Sequence, residues 1–397
     1  MRILAITNLY PNPFHPTRGT FNRQQFAALA ARHEVMVISP IAWTDEILAR
    51  GKGAAALPKS RTLKVEHLEV HYPRYVFTPR VLRGWYGQFF QYSVRRKFDR
   101  ALKEFQPDVI FAAWAFPDGW AAVELGRRAG LPVVVKVHGS DVLMLPQLPD
   151  RQAGTLHALR RADAVIAVSN DLSRRVIELG ADPARVSVVY DGVDQSLFHP
   201  GPKNESRSRL GIGGDDPIVL FVGNLAPVKG IDILIEACRR LRLNGSRFKC
   251  FIVGQGPLKG SLQRQIDDAG LSDSVRLVGP IPHNELPDWY RAARVFVLPS
   301  HSEGVPCVLL EAAACQTPAV ATRVGGIPEI AHWNRSRLVE PGNASEVAGA
   351  IDASLSDQPE TAPKISFTRT HDDAALEIES ILGRVCPSLQ TAARIPA

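Results

Sequence analysis

Glu303 and Glu311 stand eight residues apart in the segment SHSEGVPCVLLEAAAC, and their settings differ. Glu303 lies among Ser, His and Gly in a stretch that reads as a loop. Glu311 sits in a run of Val, Leu, Ala and Cys that is apolar on every face of a helix and should be buried. A lone buried carboxylate is costly, so it needs fixed donors, and the two hydroxyls of a ribose are one such pair. A structural carboxylate in the first turns of a helix is the other reading. Pro306 is suited to open that helix, because its fixed φ fits the first turn and its missing N–H would be unpaired there. The amides of the first turn are a natural anion site. Gly304, Val305, Pro306, Cys307 and Val308 thereby become candidate contacts to a phosphorylated ligand.

Other polar or Gly-rich segments follow β-branched runs. His138 follows VVVKV, where a neutral imidazole can pair with a bound hydroxyl or fill a core position. Asp141 either contacts a ligand or caps the next helix. Asn224 and Lys229 follow IVLFV, Gly254 ends CFIVG, and Gly19 lies beside Arg18 in the loop after ILAIT. A Lys in such a loop neutralises a phosphate or is merely solvated.

These residues need a scaffold that gathers strand ends. ILAIT (3–7), VMVIS (35–39), VIFAA (109–113), VVVKV (133–137) and AVIAVS (164–169) fit buried parallel strands with crossover helices between them. The polar stretch HPGPKNESRSRLGIGGDDP (199–217) reads as a linker. The alternation then restarts with IVLFVG (218–223), KCFIVG (249–254), VRLVG (275–279), RVFVLP (294–299) and AVAT (319–322). The expected class is α/β: two Rossmann-like, doubly wound lobes facing across a cleft. Ligands of such sheets bind beyond the carboxyl ends of the strands. Residues 8–19, 138–141, 223–229, 254–256 and 300–303 should therefore meet there.

A chain of 397 residues suits two domains, and 45% hydrophobic with 22% charged residues excludes a disordered class. Five cysteines without CxxC spacing or paired His exclude a zinc or disulfide framework. There is no Asp-x-Asp and no clustered His, so no metal is expected, nor a nucleic-acid partner. No run reaches the roughly 20 apolar residues of a membrane span, and MRILAITNLYP lacks a signal-peptide h-region, so a cytoplasmic protein is expected. The net charge of +7 is uneven: residues 1–200 hold 26 Lys+Arg against 18 Asp+Glu, and the remainder 21 against 22. Part of the excess lies in Arg80, Arg83, Arg95, Arg96, Lys97, Arg100 and Lys103, interleaved with Trp85, Tyr86, Phe89, Phe90 and Tyr92. Such a stretch fits the anionic face of a membrane or a phosphate-bearing acceptor, or else an amphipathic helix with its aromatics in the core.

With EGVPCVLLE carrying a Glu-x7-Glu spacing, and with VSVVYDGVDQSLFHP (186–200), FVGNLAPVKG (221–230), FIVGQGP (251–257) and RVGGIPEI (323–330) in order, nearly the whole chain resembles one family. It is similar to the retaining glycosyltransferases of family 4, the group-1 transferases with the GT-B fold, in particular bacterial ones that build surface polysaccharides such as teichuronic acid. The resemblance implies an acceptor-binding lobe over 1–198 and a sugar-nucleotide-binding lobe over 199–370. It also implies a C-terminal helix and tail over 371–397, with the helix packing back on the first lobe. Glu303 would bond the donor sugar's hydroxyls, Glu311 the ribose, and Lys229 the diphosphate. Gly19 would approach the diphosphate, Gly254 would lie in the nucleotide-side turn, and His138 would be the N-lobe active-site histidine. Residues 278–281 would meet the base through their backbone.

Asn224 stands where the family usually carries Arg, and Arg18 is the expected replacement for that charge. The implied reaction is retaining transfer of a hexose from a nucleotide-diphosphate sugar, UDP favoured over GDP-mannose, to a saccharide or lipid-linked acceptor without metal or cofactor. A non-catalytic sugar-nucleotide binder, a non-hydrolysing epimerase and a nicotinamide dehydrogenase are the rival readings. The last needs G-x-G-x-x-G after the first strand, which NLYPNPFHPTRG lacks.

Overall fold

The computed structural model describes all residues except 52, 66, 145–146, 334, 358–366 and 387–397. The expected tail beyond the last helix thus lies outside the described residues. The chain divides into two compact units, Met1–Asp191 together with the segment from His371, and Gly192–Thr370. No helix among the described residues is long and apolar enough to cross a membrane.

The first unit holds β1 (Arg2–Ile6), β2 (Glu34–Ile38), β3 (Ile41–Ala42), β4 (Thr62–Val65), β5 (Leu68–His71), β6 (Arg74–Tyr75), β7 (Val109–Ala112), β8 (Val133–Val137), β9 (Ala164–Ala167) and β10 (Val186–Val188). Its main sheet runs β10-β9-β8-β7-β1-β2-β5-β4, and β3 pairs separately with β6. All neighbours in the main sheet are parallel except the edge pair β4–β5. Every residue of β7, β8 and β9 is buried, as expected of β-branched strands covered on both faces.

Lys136 is the exception in type, fully buried in mid-strand. Its ammonium is matched by Asp191 Oδ1 at 2.5 Å and Gln25 Oε1 at 3.1 Å, so the buried charge is paired. The helix His371–Val385 packs on the helix Thr20–Ala30 and sends Ile378, Ile381 and Leu382 into the same core as Ile3, Phe26 and Val109. Arg32 Nε donates to Glu379 Oε2 at 3.0 Å along this seam.

The second unit holds β11 (Ile218–Val222), β12 (Lys249–Val253), β13 (Val275–Gly279), β14 (Val295–Leu298), β15 (Ala319–Thr322) and β16 (Arg337–Val339) in the order β13-β12-β11-β14-β15-β16, all parallel. The expected linker 199–217 is instead folded. Lys203–Arg209 is a helix, Ser206 Oγ donates to Asp288 Oδ1 at 2.9 Å, and the buried Arg207 donates to the carbonyls of Gly214 and Asp216. Among the parallel strands of each large sheet the chain order reverses between β1 and β7 and between β11 and β14. Such a reversal leaves a crevice at the carboxyl ends of the strands, where doubly wound sheets bind ligands.

Candidate functional site

In the second unit the loops leaving β11 and β14 are tied together, with His301 N donating to Val228 O at 2.8 Å. That tie sets Lys229 and Glu303 side by side. Lys229 Nζ donates to Glu303 Oε1 at 2.6 Å, and Ser300 Oγ donates to the same oxygen at 2.7 Å. Lys229 keeps 23% of its side-chain surface against 9% for Glu303, so the cation is the more accessible partner. A third strand end joins them. Gly223 N donates to Val253 O at 3.0 Å and Leu225 N to Gln255 O at 2.9 Å. Gly254 has φ 140°, and a Cβ there would lie 1.9 Å from Gly223 O, so only glycine allows this approach. Asn224 is exposed in the turn so formed.

The helix Cys307–Ala314 begins one residue later than expected. Pro306 has ψ 115°, which makes it the residue before the helix rather than the first within it, and no side chain caps this end. Gly304, Val305 and Pro306 are buried, and Cys307 and Val308 half-buried. Gly326 N donates to Gly304 O at 2.8 Å, which fixes the loop from the RVGGIPEI side. Glu311 is 7% exposed, and the fixed donors that its burial requires are supplied by the protein. Tyr290 Oη donates to Oε2 at 2.7 Å, and His283 Nε2 lies 2.9 Å from Oε1. Both partners come from the PHNELPDWY segment, whose helix Leu286–Ala292 turns its buried face toward Glu311. Burial, then the charge of Glu311, pushes the Tyr290 phenol well above its usual value, so it stays a donor.

In the first unit the strand reversal brings Asn8, after β1, to Asp118, after β7. Asn8 N donates to Oδ2 at 2.6 Å and Asn8 Nδ2 to Oδ1 at 3.0 Å. Asp118 is fully buried, and burial raises its carboxyl to about 7 against the opposing Asn8 hydrogen bond. Sequence reasoning missed this residue, because a single Asp between Pro117 and Gly119 looks like a turn.

His138 lies at the end of β8, its ring 4.7 Å from that of Phe21 and stacked at 6.4 Å on Trp114. Burial, then Lys136, lowers its pKa to about 3, so the imidazole is neutral. Its Nε2 is buried with no hydrogen-bond partner among the described residues, which leaves one ring nitrogen for a ligand. Asp141 lies inside the short helix Ser140–Leu143, whose start no side chain caps, and it accepts from the amides of Gly139 at 2.9 Å, His138 at 3.1 Å and Ala115 at 3.2 Å. Burial nonetheless raises it to about 6.

Gly19 precedes the helix Thr20–Ala30 at φ 61°, and a Cβ there would fall 2.3 Å from Leu9 O, so its glycine has a packing reason of its own. Arg18 is engaged by Asp45 at 3.4 Å rather than standing as a spare charge. Among the described residues no three His, Cys, Asp or Glu side chains are grouped to hold a metal ion.

Two doubly wound units, one with a lysine–carboxylate pair at its strand reversal and the other with a neutral histidine at a strand end, have the architecture of the GT-B fold. Residues 202–367 match the model of the glycosyl transferases group 1, and residues 19–197 that of glycosyltransferase family 4. A Bacillus subtilis protein named as a teichuronic acid biosynthesis glycosyltransferase, TuaC, is 30% identical over 369 residues, 88% of each chain. The chain therefore belongs to the family 4, group 1 glycosyltransferases. Sucrose-phosphate synthase of Thermosynechococcus elongatus shares the fold with a TM-score of 0.74 at 20% identity, over 99% of this chain and 98% of that one. Anabaena Alr3699/HepE in complex with UDP-glucose gives 0.71 at 21%, over 98% and 100%.

Proposed function

We propose that this glycosyltransferase moves a hexose, with retention, from a UDP-sugar to a saccharide or lipid-linked saccharide during surface polysaccharide synthesis. The observation that carries the reading is the Lys229–Glu303 pair at the β11–β14 reversal. A diphosphate competes for the ammonium, and a sugar hydroxyl replaces it on Glu303. Lys229 and the start of the helix Cys307–Ala314 then stabilise the departing diphosphate as the C1–O bond lengthens toward an oxocarbenium ion. The leaving phosphate oxygen takes the acceptor's proton, so no general-base carboxylate is required. His138 Nε2 bonds a donor-sugar hydroxyl, and Glu311 holds the ribose. UDP is favoured over GDP because the HepE neighbour was obtained with UDP-glucose. The enzyme works without metal, peripherally at the cytoplasmic face of an anionic membrane that presents the acceptor.

Incubation with a panel of UDP- and GDP-sugars and a lipid extract, in EDTA, tests this. Release of UDP with an α-linked product from an α-linked donor is expected. Binding without product would favour a non-catalytic binder, interconversion of sugar nucleotides an epimerase, and strict dependence on divalent metal would overturn the electrostatic scheme.

A further inference from the structure

A groove of about 640 Å³ opens on the first unit, and none of its lining residues belongs to the site described above. Lys59, Arg61 and Arg74 line it from the segments beside β4 and β6, and Arg96, Lys97 and Arg100 from the helix Tyr86–Glu104. The buried Glu46 takes Arg61 and Arg74, and Glu104 takes Arg100 at 2.7 Å. Lys97 Nζ is spent on neutral acceptors, Ser60 O at 2.9 Å and Thr62 Oγ1 at 3.3 Å. Lys59 and Arg96 have no carboxylate partner among the described residues, so the groove carries a net positive charge. Lys97 is held below its usual value by burial and then by Arg100.

The helix explains the rim. It turns Phe90, Val94, Phe98 and Ala101 into the core, which leaves Tyr92 and Arg96 outward. Tyr92 is 76% and Val76 51% exposed at the groove, while Phe90 is buried, so the aromatics of this stretch divide between core and surface. The turn before the helix exposes Val81, Leu82 and Trp85 by 59, 57 and 58%.

We propose that this groove seats the phosphate of an anionic phospholipid headgroup, with Val76, Tyr92 and the Val81–Trp85 turn resting in the interfacial layer. It rests on the reading that the acceptor is presented at a membrane, and it assigns the docking to a site separate from the donor site. A soluble anion would use the cations and leave the apolar rim in water, whereas Trp and Tyr favour the lipid–water boundary.

Flotation of the full chain with vesicles of phosphatidylcholine, alone or mixed with phosphatidylglycerol, tests the proposal. Flotation is expected only with phosphatidylglycerol and should weaken with salt. Lys59→Ala and Arg96→Ala should each lower partitioning about fivefold, and the pair about 25-fold, from about 1 kcal/mol per cation near an anionic surface. Tyr92→Ala should lower it as well, while UDP release with a water-soluble acceptor stays unchanged in all three. An equal loss in Arg242→Ala/Arg247→Ala, exposed cations of the other unit, would reduce the effect to net charge and overturn the groove. Protection of Lys59 and Arg96 from chemical modification by inorganic pyrophosphate, without vesicle binding, would overturn the lipid in favour of a soluble anion. Vesicle binding without UDP release would sink the transferase scheme alone, and the converse would sink the headgroup site alone.

Discussion

Tyr290→Phe removes one oxygen from the interior of the second unit and little else. The ring is fully buried, edge-on to Phe198 and beside Phe296, and Phe fills the same space, so no cavity forms. What disappears is the 2.7 Å bond to Glu311 Oε2. A hydrogen bond to a charged group contributes about 1.5–3 kcal/mol. Glu311 is too buried for water to replace the hydroxyl freely, yet His283 still serves Oε1 at 2.9 Å. The expected loss is therefore in mid-range, about 2 kcal/mol, which lowers Tm by about 4–8 °C for a unit of this size.

Calorimetry of the full chain measures it, the transition of the second unit being the one that UDP raises. Repeating the change in a Glu311→Gln background closes a double-mutant cycle with an expected coupling above about 1 kcal/mol. Additivity within about 0.3 kcal/mol, or a Tm loss below about 2 °C, would refute the claim that Tyr290 holds a buried charge. The same variant should raise the donor KM several-fold with kcat retained, because the carboxylate proposed to meet the ribose loses its aim.

Glu303→Ala should mainly lower kcat, on the order of 10²-fold, whereas Glu311→Ala should mainly raise the donor KM. The opposite pattern in steady-state kinetics would exchange the roles of the two carboxylates. Asp118 gives a pH signature: its folded value of about 7 lies above the ordinary 3.8, so between those pH values the native state holds a proton that the unfolded chain has lost. Its contribution to stability must therefore fall as pH rises through that window. Urea titrations at pH 5 and 7.5 should show Asp118→Asn flattening that fall, and an unchanged slope would count against it.

The strands most legible in the sequence are those covered on both faces, such as β7, β8, β11 and β14, because continuous Val, Ile and Phe runs have no other use. β4 and β5 went unread since TLKV and LEVH alternate apolar residues with Lys and Glu at the sheet edge. The helix Lys203–Arg209 looked like a linker because its burial depends on Asp288, 82 residues from Ser206. Loops were found by the same logic as strands, which put Lys229, Glu303 and His138 at strand ends. Their partners were not found. Lys229 meets Glu303 across 74 residues, and Glu311 meets His283 and Tyr290 across 28 and 21. A single sequence shows which charges need partners, but not which distant side chain the topology will supply.

The return of the chain to its first unit at His371 sets a timetable for synthesis. Unit Gly192–Thr370 is one continuous stretch and is finished as soon as it leaves the ribosome. The N-terminal sheet, made earlier, still lacks the helix that brings Ile378, Ile381 and Leu382 to Ile3 and Phe26. At about 5–20 residues per second it waits on the order of ten seconds or more with that apolar face uncovered. A helix made after the whole second unit therefore closes the unit made first, and a nascent chain stalled before residue 371 presents that face to chaperones.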